Sequence, residues 1–192
     1  MSSQAIFDMA AKALLSAEAR ERAVLPLIYL GAPILETPCD EIDMFDDPTN
    51  TYQPLTHLAT QMEITRQHWQ GLGLAAPQVG RSARLAIIAC EGVRAVICNP
   101  TISDPSGEQI HMEGCLSIPT YEMKRKRPLQ LTVRFQDVLG VWHSLTATGL
   151  LARTIQHEVD HLNGKLFIDG FSRNIRRAAQ RAVDKHRRMA NV

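Results

Sequence analysis

His157-Glu158-Val159-Asp160-His161, preceded by Leu150, Leu151, Thr154 and Ile155 and followed by Gly164, decides how this chain is read. Residues four apart share one face of a helix, so His157 and His161 stand one turn from each other, close enough to ligate one cation. Glu158 lies between them, beside such a cation, where it can move protons to and from a water. The apolar spacing and the glycine stop predict a helix over 149–162.

Working outward, residues 84–90 and 94–98 read as a hairpin about Glu91-Gly92, and 129–136 and 141–147 as a second one. A polar turn is expected at 104–107. Helical spacing of Leu55, Leu58, Met62 and Thr65 predicts a helix over 55–69, and a last helix is expected over 172–190. Residues 4–22 read as an Ala-rich N-terminal helix. Strands in the middle with helices toward the ends argue for an α+β fold, organised as one domain over residues 1–192.

Apolar content of 45% and charged content of 21% fit a globular protein. The net charge of +1 supplies no global field for nucleic acid or membrane, so neither DNA nor a bilayer is an expected partner. No apolar run is long enough to cross a bilayer, and the N-terminus lacks a secretory pattern, so a reducing cytoplasm is expected. Among the cysteines, Cys90 and Cys98 read as small core residues and Cys39 as part of a polar loop.

Two histidines leave a metal site incomplete. One zinc-peptidase pattern would place a third histidine at 167, where Phe167 stands; another would need a glutamate on the following helix, which has none. The third ligand is therefore expected upstream, from Cys115, His111 or His143. Cys115 is the strongest, because Gly114 and Ser117 suggest an exposed turn and a thiolate binds first-row metals firmly.

Three segments now converge: Gly71-Leu72-Gly73-Leu74-Ala75-Ala76-Pro77-Gln78, Glu113-Gly114-Cys115-Leu116-Ser117 and Gln156-His157-Glu158-Val159-Asp160-His161-Leu162. In sequence, order and spacing they resemble the three signatures of the peptide deformylases. The resemblance covers about residues 25–170, leaving residues 1–24 as an extension. It implies antiparallel sheets packed around a central helix carrying the His-Glu-His motif, with a C-terminal helix. It also implies removal of the formyl group from the N-formylmethionine of new polypeptides, releasing formate. The implied cofactor is one divalent ion on Cys115, His157 and His161, with Fe²⁺ expected and Zn²⁺ or Ni²⁺ able to take its place. Glu158 would be the acid–base group. The Gln78 side-chain amide and the Leu116 backbone N–H would stabilise the developing oxyanion. Leu72, Leu150 and the stem of Arg153 would wall the methionine pocket. Gly73 would lie along an extended substrate backbone, and Glu113 would shape the region.

Many members carry an arginine just after Ile118-Pro119 that contacts the peptide beyond its first residue; this chain has Thr120-Tyr121-Glu122. The basic run Lys124-Arg125-Lys126-Arg127 reads as a strand edge protected by charge. Residues 173–192 carry seven Lys or Arg against one acid, Asp184, with Ile175, Ala179, Ala182 and Met189 as an apolar stripe. A basic C-terminal helix of this kind suits docking to the ribosome.

Overall fold

The computed structural model describes residues 23–43 and 52–190. The expected N-terminal helix over 4–22 lies outside them. The described strands are β1 (Gly73–Ala75), β2 (Leu85–Cys90), β3 (Val93–Ser106), β4 (Gln109–Cys115), β5 (Ile118–Arg127), β6 (Gln130–Gln136) and β7 (Trp142–Thr148). The α-helices are α1 (Tyr52–His68), α2 (Gly149–Leu162) and α3 (Arg173–Ala190). Short 3-10 turns occur at Pro33–Glu36 and Ala76–Val79.

Five strands form an antiparallel sheet in the order β1-β2-β3-β6-β7, and among the described residues β4 pairs only with β5. The fold is α+β, as expected. β2 shows why its sequence is apolar almost throughout. Alternate side chains of a strand face opposite ways. Ala86, Ile88 and Cys90 face a core shared with α2, while Leu85 and Ile87 face a second core shared with α1.

Helix α2 packs on the sheet through Leu151, Ala152, Ile155, Val159 and Leu162, whose spacing keeps them on one side of the helix. Burying an aliphatic side chain contributes about 1.5–3 kcal/mol. That outweighs the few tenths of a kcal/mol that β-branched residues such as Ile155 and Val159 cost a helix. A third core joins α3, through Ala179 and Val183, to Ile118 of the β4–β5 hairpin and to Leu30, Leu35 and Phe167.

The segment before α1 acts as a strap. The Ile28 N–H donates to Gln78 O (2.8 Å), the Leu30 N–H to Ser117 O (3.0 Å) and the Cys39 N–H to Leu162 O (2.9 Å). Cys39 lies in this irregular segment but turns its side chain into the core, and burial pushes its thiol up to about 11. Cys98 is fully buried and pushed up to about 12 for the same reason.

Three other expectations change. β3 continues to Ser106 instead of ending near Cys98, because register shifts against β6 absorb Pro100 and Asp104. The basic run is not a uniformly solvated edge. Lys124 and Lys126 face out, while Arg125 bonds the carbonyls of Phe167 and Asp169 and Arg127 is buried. On α3, Val183 is buried and Met189 is exposed, so the packed stripe drifts off the expected Met189.

Candidate metal centre and substrate cleft

The side of α2 turned from the sheet core carries Arg153, His157 and His161, at intervals of four residues. Cys115 meets them from the end of β4, where the hairpin turns through Leu116 and Ser117 into β5. One donor atom from each of Cys115, His157 and His161 lies within 4.8 Å of the others. Cys115 Sγ is 3.2 Å from His161 Nε2. Of the three candidate third ligands, only Cys115 joins this cluster. His111 is exposed, and His143 pairs with Asp137 at 2.9 Å.

The donors suit a cation. His157 Nδ1 is 2.8 Å from Glu113 Oε1, so it donates its proton there and leaves the Nε2 lone pair for the cluster. A thiol sulfur with two imidazoles, largely buried, is a set that first-row divalent metals accept.

Glu113 is the hub of a buried network. Arg127 donates to both its oxygens (2.8 and 2.5 Å), Arg153 donates to one (2.6 Å), and Arg127 also reaches Asp160 (2.8 Å). Burial works to push the Glu113 carboxyl up, but hydrogen bonds and charge from Arg127 and His157 prevail and hold it well below the usual carboxylate range. Glu113 therefore stays ionised and fixes the orientation of His157. Arg153 turns its guanidinium into this network, also donating to Arg125 O (2.9 Å), which leaves its stem along the cleft.

Glu158 is buried, and its Oε2 has no hydrogen-bond partner. Burial raises its carboxyl to about 7, against the opposing pull of His157. A carboxyl poised near neutrality suits proton transfer in either direction. Gly73 leaves the space that Glu158 fills: a Cβ there would collide with Glu158 Oε1 and lie 2.7 Å from its Cγ.

The Gln78 amide is oriented by its neighbours. Its Oε1 accepts from the Ala75 N–H (2.8 Å), so its Nε2 points to Cys115 Sγ (3.4 Å) and Ser117 Oγ (3.3 Å). The loop before β1 is clamped from α1. Arg66 donates to Gly71 O at 2.6 Å, while its Nε and Nη2 grip the buried carboxylate of Glu63 (2.7 and 2.8 Å). Arg94 reaches Glu63 as well, at 2.5 Å.

A cleft of about 520 Å³ opens beside these groups. Leu72, Gly73, Glu113, Leu150 and Arg153 line it, together with Gln78, Leu116, His157 and Glu158. Sequence reasoning missed Trp69, Met112, Tyr29 and His186, which also line it. Trp69 and Met112 could have been suspected from their closeness to the Gly71 and Cys115 motifs. Tyr29 and His186 come from distant segments and carried no signal. Arg127 was hidden within a run of like charges.

Comparison with known proteins points to one family. Residues 24–177 match the polypeptide deformylase family. A peptide deformylase of Dictyoglomus thermophilum is 41% identical over 140 residues, covering 73% of this chain and 88% of that protein. The crystal structure of a peptide deformylase from Legionella pneumophila superposes with a TM-score of 0.80 at 37% identity, over 88% of this chain and 98% of its own. A Met-Ala-Ser-bound peptide deformylase from Acinetobacter baumannii gives a TM-score of 0.71 at 33% identity, over 77% of this chain and 98% of its own. With the fold, the three motifs and the donor cluster in agreement, the chain belongs to the polypeptide deformylase family.

Proposed function

We propose that this chain removes the formyl group from N-formylmethionyl polypeptides, releasing formate and a free amino terminus, with the residues of the cleft in the following roles. The observation that carries the assignment is the approach of Cys115, His157 and His161 to within 4.8 Å at a cleft that Glu158 and Gln78 also line. Those three residues would hold one divalent ion, which we assign as Fe²⁺, with Zn²⁺ or Ni²⁺ able to occupy the same donors. Such an ion makes water a usable nucleophile near neutral pH and polarises the carbonyl under attack.

The protein's own groups supply the rest. Glu158 takes the proton of the attacking water on its unpartnered oxygen and returns one to the departing amine. As the formyl oxygen gains charge, Gln78 Nε2 and the Leu116 N–H donate to it. Gln78 is suited to this because the Ala75 N–H already fixes its orientation, so little reorganisation is needed. Glu113 keeps His157 in one tautomer. Leu72, Leu150 and the Arg153 stem enclose the methionine side chain. β1 is an edge strand, and its backbone is offered to an extended peptide. The Met-Ala-Ser-bound relative supports a peptide in such a cleft.

No described helix is long and apolar enough to cross a membrane. We assign the protein to the cytoplasm and its substrates to chains emerging from ribosomes. The exposed Arg173, Arg177, Arg181, Lys185 and Arg188 of α3 give it a basic face for ribosomal RNA.

The test is formate release from formyl-Met-Ala-Ser by anaerobically prepared, iron-loaded protein, alongside peptides that carry no formyl group. Formate without peptide cleavage is expected, and Glu158→Gln should abolish turnover while the ion stays bound. Peptide cleavage without formate would overturn the assignment.

A further inference from the structure

Most charged side chains lining the cleft are buried and already committed: Glu113, Arg153 and His157 to one another, and Glu158 beside the donor cluster. Glu122 differs. It is exposed on the cleft wall and, among the described residues, has no hydrogen-bond or ion-pair partner. It stands where it does because of a bulge. Cys115 pairs with Ile118, but Gly114 pairs with Glu122, and Thr120 between them adopts a φ of 63°. A β-branched residue rarely takes that conformation, and bulges beside active sites re-aim side chains. Here the result lays Glu122 across Gly114, where a Cβ would meet its Cγ at 3.1 Å and its Oε1 at 3.4 Å. Gly114 is the residue next to Cys115, so a free carboxylate sits one strand position from the reacting end of the cleft.

Resting on the deformylase reading above, we infer that Glu122 is a specificity-determining residue that favours substrates with lysine or arginine directly after the formylmethionine. An extended peptide advances about 3.3 Å per residue and alternates its side chains. With its first side chain in the methionine pocket, its second points away from that pocket, toward the rim where Glu122 lies. The next charge along the same face of β5 is Lys124, opposite Met112 and farther from Cys115. This confines the acidic field to the second residue. His186, which also lines the cleft, approaches the Tyr29 hydroxyl at 3.5 Å and, among the described residues, makes no ion pair with Glu122.

The experiment compares kcat/KM of the metal-loaded full-length protein for formyl-Met-Lys-Ala, formyl-Met-Ala-Ala and formyl-Met-Glu-Ala. An exposed ion pair of ordinary strength changes each charged peptide by roughly three- to fivefold relative to alanine. The lysine peptide should therefore exceed the glutamate peptide by about tenfold at low salt and by less at high salt. Glu122→Gln should bring that ratio near one, and Glu122→Lys should invert it. Formate from the alanine peptide with equal rates for lysine and glutamate, or a ratio unchanged in Glu122→Gln, overturns the role of Glu122 alone. No formate from any peptide overturns the deformylase reading, and this inference with it.

Discussion

Gly73 matters for what it lacks. Any side chain there occupies the volume of the Glu158 carboxylate. Gly73→Ala should lower the melting temperature by several degrees, because the added methyl overpacks a buried site at a cost of about 1–3 kcal/mol. It should lower kcat/KM about a hundredfold, since small displacements of a reacting group cost that much. A steady-state assay beside a thermal melt checks this, and a full-rate alanine variant would refute the packing argument. At this scale the sequence was highly legible. Glu158, Gln78, Leu116 and the five expected cleft residues all line the cleft, and their placement there could be anticipated because each lies in one of three motifs or close beside one. Glu63, Arg66 and Arg127 could not. Arg127 acts through Glu113 and Asp160, which only the fold brings near, while the Glu63–Arg66 pair, three residues apart on α1, looks as sequence like an ordinary exposed ion pair and gives no sign of its burial or of its grip on Gly71.

Among the elements, α1 illustrates how an anchor far from the chemistry shapes the cleft. Glu63 is 1% exposed yet charged, and Arg66 connects it to the Gly71 carbonyl that precedes β1. Burial works to raise the Glu63 carboxyl, but Arg66, Gln67 and Arg94 overrule it and lower the pKa. A carboxyl depressed in the folded state stabilises fully above its unfolded pKa of about 4.3, and that contribution is lost as pH falls through the folded value. Glu63→Gln should therefore lower stability at neutral pH and flatten the loss of stability below about pH 4.3. Denaturant titrations from neutral to acid pH measure both effects; parallel curves for the two proteins would show that the network contributes nothing. The strands and helices themselves were foreseeable where periodicity was strong, as in α2, β2, β6 and β7. β3 was truncated in expectation because only residues 94–98 form an apolar run and Asp104–Gly107 reads locally as a turn, whereas register shifts against β6 carry the strand on to Ser106. The stripe of α3 was misplaced toward Met189 because a helix can present neighbouring stripes, and packing selects Val183.

For the whole molecule, α2 shares one core with the sheet, whereas the β4–β5 hairpin is a separate layer that meets α2 at the donor cluster and at the Glu113 network. The hairpin pairs with no strand of the five-stranded sheet. Its tip is held by the strap bond from Leu30 and by the environment of Cys115. A cation bound by Cys115, His157 and His161 would thus join the hairpin tip to α2 as a cross-link does, closing a long loop of chain. Stabilisation by an ion that binds only the folded state rises by about 2.7 kcal/mol at a hundredfold excess over its dissociation constant. Chelation should accordingly lower the melting temperature, with restoration on adding the ion back; indifference to chelator would remove the cluster as an ion site. The same architecture governs where the loosening occurs. Amide hydrogens at residues 114–118 should exchange faster in the stripped protein, while those of β2, covered on both faces, should keep their protection. The ion would then set the lifetime of the hairpin's closed state, so metal scarcity would show itself first as local opening around Cys115 and only later as loss of the fold.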